Sequence, residues 1–394
     1  MTTQPNPVVA ISACGSYNRE EIEQAVRRAV DALGGIEAFV RPGSSILLKP
    51  NLLQGLPPER CVTTHPEIVR ALSLICREIE CNVVIADSPG GGIRYTPENL
   101  KKLYQTTGYG NIPEETGAEL NNDTGYLVLP FPEGKLVKSF PVINPVSDAD
   151  HVIVVSKAKT HLWTLFTGGT KNLFGVLPGL EKPLHHARFR NPDHFAGMIL
   201  DLNTLIHPVL QIMDAVVGLE GDGPSSGRPI KLGAILASND ATAIDLTACR
   251  IMGIPPLDVP IIRVATKHKH IGSDPARICL VGDPIASLPA VKVSMPSTYR
   301  GSGQDLSPSL LLGLLQRLGG VYALYPSFDL GRCQRCGQCA LICPIGALTM
   351  QEGGPELDRK ICIRCYCCHE ICPTGSVLLR SGPGRKLIRK LSGL

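Results

Sequence analysis

Residues 151–161 read HVIVVSKAKTH: the run Val152 to Val155 is wholly β-branched, and it ends in Ser156, Lys157, Lys159, Thr160 and His161. A continuous β-branched run marks a strand buried on both faces, and polar residues packed just after it mark the loop end of that strand. SSILLKPN (44–51), NVVIADSPGGG (82–92), Ile212 to Val217 and KLGAILAS (231–238) have the same strand-then-loop form, and VVAIS (8–12) precedes them. Helical patterns lie between. Asn18 caps one, Glu20 and Glu21 fill its first turn, Ile22, Ala25, Val26, Ala29 and Val30 recur at helical spacing, and Gly34-Gly35 ends it. Pro66 to Ile79 reads as another. Alternating strands and helices predict an α/β fold, a largely parallel sheet with flanking helices, whose ligands bind beyond the carboxyl ends of the strands. Leu56 to Pro66 and Gly90 to Asp123 read as loop-rich insertions over that edge.

A second signal lies near the C-terminus. The spacing C-x2-C-x2-C-x3-C-P occurs at Cys333, Cys336, Cys339, Cys343 and Pro344, and again at Cys362, Cys365, Cys368, Cys372 and Pro373. Three thiolates at i, i+3 and i+6 wrap one iron–sulfur cube and leave its fourth corner to a distant cysteine. In the two-cluster pattern the last cysteine of each run serves the other cluster. This predicts two [4Fe–4S] clusters, one on Cys333, Cys336, Cys339 and Cys372, the other on Cys343, Cys362, Cys365 and Cys368. Zinc knuckles also use C-x2-C, but zinc gives no reason for two complete runs. Cys367 is an additional thiol, read as a packed small residue rather than a ligand. The module is expected to be a small α+β ferredoxin-like domain over residues 328–378. Residues 1–325 would form the α/β domain and 379–394 a basic tail. The Pro/Ser/Gly-rich stretch and the run LLLGLLQRLGG between 283 and 331 read as a linker with a docking helix.

Composition narrows the function classes. With 39 basic and 35 acidic residues and 5% aromatics, the chain has neither the charge nor the base-stacking platform of a nucleic-acid binder. No secretory signal is read at the N-terminus, and the most apolar region, Phe195 to Leu219, is broken by Asp201, Asn203, His207 and Asp214, so no membrane span and a cytoplasmic location are expected.

LLKPN (47–51), TTHP (63–66), ADSPGG (86–91) and SKAKTHLWTLFTGGTKNLFGVLPG (156–179) resemble the DUF362 family, iron–sulfur proteins of anaerobic bacteria and archaea that often end in such a ferredoxin module. The resemblance spans roughly residues 5 to 325, with Lys157 to Gly175 its specific part. It implies a redox role without naming a substrate. That family is loosely similar in turn to the nickel-pincer lactate racemases, but only the strand-end placement of Lys and His supports this, and no residue is carried over.

In the 157–175 segment, Lys157, Lys159, His161 and Lys171 accompany several threonines and the pair Gly168-Gly169. Lysines with hydroxyls favour phosphate or carboxylate, and glycines let the backbone approach a ligand closely. Lys157, Lys171, Gly168, Gly169, Ser88, Gly90 and Gly91 are the candidate anion or cofactor site. Lys159 and His161 are the candidate catalytic groups. The alternative for the lysines is a solvated loop. GGTKN lacks the G-x4-G-K-[ST] of a P-loop, and Pro224 in GDGPSSG removes a donor that a dinucleotide fingerprint needs. Asp214, Glu220 and Asp222 could gather around a cation or line a loop, and His185, His186 and His194 read as surface or anion-binding groups. The favoured function is an iron–sulfur oxidoreductase passing electrons to a small anionic substrate, or to an organic cofactor of unspecified kind. The alternative is a non-catalytic electron carrier whose large domain docks a redox partner protein.

Overall fold

The computed structural model of the protein describes residues 5–90, 93–299, 301 and 324–381. The strands of the large domain are β1 (Val8–Ala13), β2 (Ser45–Pro50), β3 (Asn82–Ile85), β4 (Glu119–Leu120), the hairpin β5 (Tyr126–Pro130) and β6 (Ser139–Ile143), β7 (His151–His161), β8 (Leu165–Thr167), β9 (Leu210–Glu220), β10 (Arg228–Ser238) and β11 (Cys279–Gly282). Nine of them make one sheet in the order β11-β1-β10-β9-β7-β2-β3-β4, with β8 folded back on β7. The pairs β1–β11, β9–β7, β7–β2, β2–β3 and β3–β4 are parallel. β8 is antiparallel to β7, and β10 is antiparallel to both β1 and β9, because it returns directly from β9 across the short Gly221–Gly227 turn.

Alternation along the strands divides the core in two. Val9, Ile11, Leu47, Val152, Val154, Ala234 and Leu236 pack with the helices Pro192–Ile206 and Ala241–Met252. Ala10, Ile46, Leu48, Ile153, Val155, Ile235 and Ala237 pack with the helices Arg19–Asp31 and Pro66–Glu78. Both faces of the sheet are thus covered, which is why its central strands carry apolar residues on both faces, with β7 continuously β-branched from Val152 to Val155. Asn18 caps its helix as its side-chain type demands, accepting from the N–H groups of Glu20 and Glu21. The Gly90–Asp123 stretch is more ordered than its sequence implies. It holds the helices Pro97–Thr106 and Ile112–Thr116 as well as β4, each helix started by a proline in its first turn.

The C-terminal module is a small strand-and-helix unit. β12 (Leu324–Phe328) pairs antiparallel with β15 (Val377–Ser381), and β13 (Leu348–Gln351) with β14 (Gly354–Leu357). Its frame therefore starts at Leu324 and takes in residues 379–381. The remaining tail, the proposed linker helix, Gly91 and Gly92 lie outside the described residues.

The sequence repeat is also a backbone repeat. Arg335 and Arg364 take positive φ, as do Gly337 and Tyr366, so each cysteine run makes the same two left-handed turns. Each then enters a short helix, Gln338–Leu341 or Cys367–Ile371.

Candidate functional site

The loop ends of β2, β3 and β7 converge on one polar region. Lys49, at the end of β2, is fully buried and pairs with Asp87 after β3 at 2.6 Å. Lys49 also donates to the Pro50 carbonyl (2.8 Å) and to Asn172 Oδ1 (3.2 Å), while Asp87 accepts from the Leu52 N–H (2.7 Å). Burial lowers the Lys49 pKa and raises that of Asp87, each opposing the attraction between them. Gly175 fits here because its missing Cβ would meet Asp87 Oδ1 and Lys49 Nζ.

Lys182 donates to Ser88 Oγ (2.9 Å) and to the Leu177 carbonyl (2.6 Å), and burial brings its pKa down to about 7. Lys49, Asp87, Ser88, Gly90, Lys171, Asn172 and Lys182 line one small cavity, open to solvent, with Asn51, Leu53, Thr167, Phe174 and Gly175. Among the described residues Lys171 Nζ has no hydrogen-bond partner, and it lies 5.8 Å from the centre of the Phe174 ring.

Lys159 and His161 sit beside this cavity at the end of β7. Lys159 donates to Asn51 Oδ1 (2.8 Å) and the Val62 carbonyl (2.7 Å), and burial holds its pKa well below the usual lysine range, helped by Lys171 and Lys157. His161 Nδ1 accepts from the N–H of Trp163 (3.0 Å) and Thr164 (3.4 Å), so the proton of the neutral ring is on Nε2. Burial, then Lys171, His186 and Lys159, keep the ring neutral. Nε2 faces Glu370 Oε1 at 3.4 Å. Neither atom has a hydrogen-bond partner.

Glu370 comes from the cysteine module, between Cys368 and Cys372. Its carbonyl accepts from Ser225 Oγ (2.7 Å), and the next carbonyl, of Ile371, accepts from Gln54 Nε2 (3.1 Å). Ile93 packs against the module's own core. The second cysteine run is thereby docked on the sheet edge. Burial pushes the Glu370 carboxyl up to about 7, against the pull of Lys171 and Lys159.

Ser88, Gly90 and Lys171 of the expected anion site come together here, and Lys159 and His161 adjoin it. Three others have different work. Lys157 is closed into an ion pair with its cross-strand neighbour Asp214 (2.7 Å) and donates to Tyr17 Oη (2.7 Å). Tyr17 in turn donates to Asp214 (2.8 Å) and stacks on His65 at 3.8 Å. The Gly168-Gly169 turn holds the protein's own Asp245, which accepts from the N–H groups of Gly169 (2.6 Å) and Thr170 (3.1 Å) and lies where a Cβ on Gly168 would be. Gly91 is outside the described residues.

Asp214, Glu220 and Asp222 do not gather: Glu220 pairs with Arg228 and Asp222 accepts from the Ser297 N–H. His185 and His186 are buried in the helix Glu181–Arg188 among Phe174, Phe189, Phe195 and Trp163.

Sequence reading passed over Lys49, Lys182 and Glu370. Lys49 had a signal, a lysine inside the apolar run ILLKP. Lys182 lies in a polar stretch that looks like surface, and Glu370 in a run read only for cysteine.

In the module, Cys333, Cys336, Cys339 and Cys372 line one small cavity, and Cys343, Cys362, Cys365 and Cys368 line another. The crossing cysteines are treated alike: Cys343 Sγ accepts from the Ala347 N–H (3.1 Å) and Cys372 Sγ from the Ser376 N–H (3.2 Å). Arg335 N–H points to Cys333 Sγ at 3.4 Å. All-thiol donor sets with N–H groups aimed at sulfur suit iron–sulfur clusters. Among the described residues no three His, Cys, Asp or Glu side chains converge as a single metal ion requires, and no helix is long and apolar enough to cross a membrane. Cys367 is buried beside the second tetrad.

A family model described as "Domain of unknown function (DUF362)" matches residues 46–250. A "4Fe-4S binding domain" model matches residues 326–349, which hold the first cysteine run. Thylakoid-associated protein sll1697 of Synechocystis sp. is 31% identical over 274 residues, covering 68% of this chain and 80% of that protein. Among solved structures, the lactate racemase apoprotein of Thermoanaerobacterium thermosaccharolyticum aligns with a TM-score of 0.39 at 14% identity. The alignment covers 63% of this chain and 57% of that one.

Proposed function

The chain belongs to the DUF362 family and carries a 4Fe–4S binding domain, and on that premise we propose that it is an iron–sulfur oxidoreductase acting on a small anion. Two clusters are held by the two cysteine tetrads, and the anion sits in the cavity shared by Lys49, Lys171 and Lys182. When bound, such clusters supply electrons one at a time. The chain's own residues do the rest. Lys171 attracts the anion, Asn51 and Asn172 hold Lys159 and Lys49 in place, and His161 offers its Nε2–H to a developing negative charge.

The observation that carries this reading is Lys171, an ammonium that lines a cavity without a hydrogen-bond partner and lies on the side where the cysteine module docks. Lys49, Lys159, Lys171 and Lys182 are opposed in this region only by Asp87 and Glu370 among the described residues. Lys49, Lys159 and Lys182 are buried and Lys171 is partly exposed, and an excess of cation in such a site is relieved by losing protons or by binding an anion.

The second reading, an electron carrier without catalysis, is favoured by the exposure of Cys336 and its neighbours Gln334 and Arg335, where a partner protein could reach the first tetrad. Anaerobically purified protein separates the two. The oxidoreductase is expected to carry about eight irons per chain and to gain thermal stability with small anions, a gain lost in Lys171→Ala. Iron without any anion response leaves the carrier, and far fewer irons removes the two-cluster assignment.

A further inference from the structure

Among the described residues, other buried carboxylates are matched by hydrogen bonds or, for Asp87 Oδ1, which accepts no hydrogen bond, by the Lys49 ammonium at 2.6 Å. Asp201 accepts from the N–H groups of Lys135, Leu136 and Val137, and Asp245 from those of Gly169 and Thr170. Asp214 accepts from Tyr17, Lys157 and the His65 N–H. Glu370 differs from all of them. Its backbone is pinned by Ser225, yet its Oε1 is buried without a hydrogen bond and faces His161 Nε2 at 3.4 Å, which is also without one. The charges that act on it are Lys171 and Lys159. No hydrogen bond fixes this carboxylate oxygen; what anchors the residue is its backbone, through Ser225 Oγ.

We propose that the space between Lys159, His161 and Lys171 is a carboxylate subsite, filled by the chain's own Glu370, which an entering carboxylate displaces. This rests on the anion-site reading above and names the class of anion. A carboxylate fits better than a phosphate for a reason visible in the backbone. Phosphate sites commonly add backbone N–H groups to their cations, and those that the Gly168-Gly169 turn offers already hold Asp245. What remains is one ammonium and one imidazole N–H, a donor set matched to a two-oxygen group that already lies there. Because Glu370 lies between a cysteine of each tetrad, the carboxylate that replaces it would also be read by the module through linkage.

The test uses cluster-loaded, anaerobically purified protein titrated calorimetrically with propionate and, separately, with inorganic phosphate. Glu370→Gln keeps the side-chain shape without the charge and Glu370→Ala removes it, and unchanged iron content identifies the folded variants. Both are expected to bind propionate at least about tenfold more tightly than the unaltered protein, a difference of about 1.4 kcal/mol, with phosphate affinity little changed. Propionate affinity unchanged or weakened in both variants would overturn the self-ligand, as would a gain confined to phosphate. If neither anion binds the unaltered protein or any variant, the anion site itself fails and this inference with it.

Discussion

Two lysines of one short sequence segment, Lys157 and Lys171, end in opposite circumstances. Lys157 is locked between Asp214 and Tyr17, and Tyr17 Oη also accepts from the Val217 N–H. Lys171 lines a cavity with no hydrogen-bond partner among the described residues, and the strongest charge acting on it comes from Glu370 of another module. The first region is closed and balanced, the second open and in excess of positive charge. A buried ion pair with its hydrogen bonds complete is costly to break from one side, whereas a partly exposed cation without a protein hydrogen-bond partner is left available to a ligand. Burial of lysine therefore does not by itself identify a ligand site. The count of partners does.

The largest effect should come from breaking the closed region. Asp214→Ala leaves Lys157 buried beside Tyr17 without its counter-ion, and the expected loss of unfolding free energy is about 3–5 kcal/mol. Chemical denaturation of the cluster-loaded protein measures it. Replacing Lys157 and Asp214 together by apolar residues should cost clearly less than the two single changes added, since it leaves no orphaned charge. Additive losses would show that the pair is not the unit the geometry makes it.

A second comparison is by pH. Burial brings Lys182 down to about 7 from the ordinary 10.5. Between those values the folded protein binds fewer protons than the unfolded chain, so stability should rise as pH climbs from about 7 to 10.5. Asp245 goes the other way. Burial raises it to about 7 from 3.8, so the folded state holds the extra proton and stability should fall as pH rises through that window. Lys182→Met should flatten the alkaline limb and Asp245→Asn the acid limb, each by a few kcal/mol, since a tenfold change in proton affinity is worth about 1.4 kcal/mol. Urea unfolding at a series of pH values reads both slopes. A limb that survives its substitution belongs to another group.

Legibility followed the range of the interaction. The strand runs at 8–12, 44–51 and 151–161, the Asn18 cap and the cysteine repeat are local patterns, and each stands in the fold where the sequence puts it. The clustering of Ser88, Gly90 and Lys171 was also readable, because parallel strands deliver their loop ends to one edge. What the residues could not announce was pairing across the chain. Lys157 and Asp214 are 57 positions apart and Gly169 and Asp245 are 76 apart, so nothing near Lys157 or Gly169 says that an internal carboxylate already fills the role a ligand would take. Glu370 is the extreme case: it acquires meaning only when the module docks against the sheet.

The smallest effect is the most pointed. Lys171→Ala should change stability by no more than about 1 kcal/mol, because it breaks no hydrogen bond and removes the largest charge repulsion acting on Lys159 and His161. Lys157→Ala should cost more than this, since it strips Asp214 of its cation inside the protein. Thermal denaturation of the two variants, side by side in buffer of low anion concentration, ranks them. If Lys171→Ala proves as damaging as Lys157→Ala, then Lys171 is a structural counter-charge to Glu370, and the open region is as closed as the other.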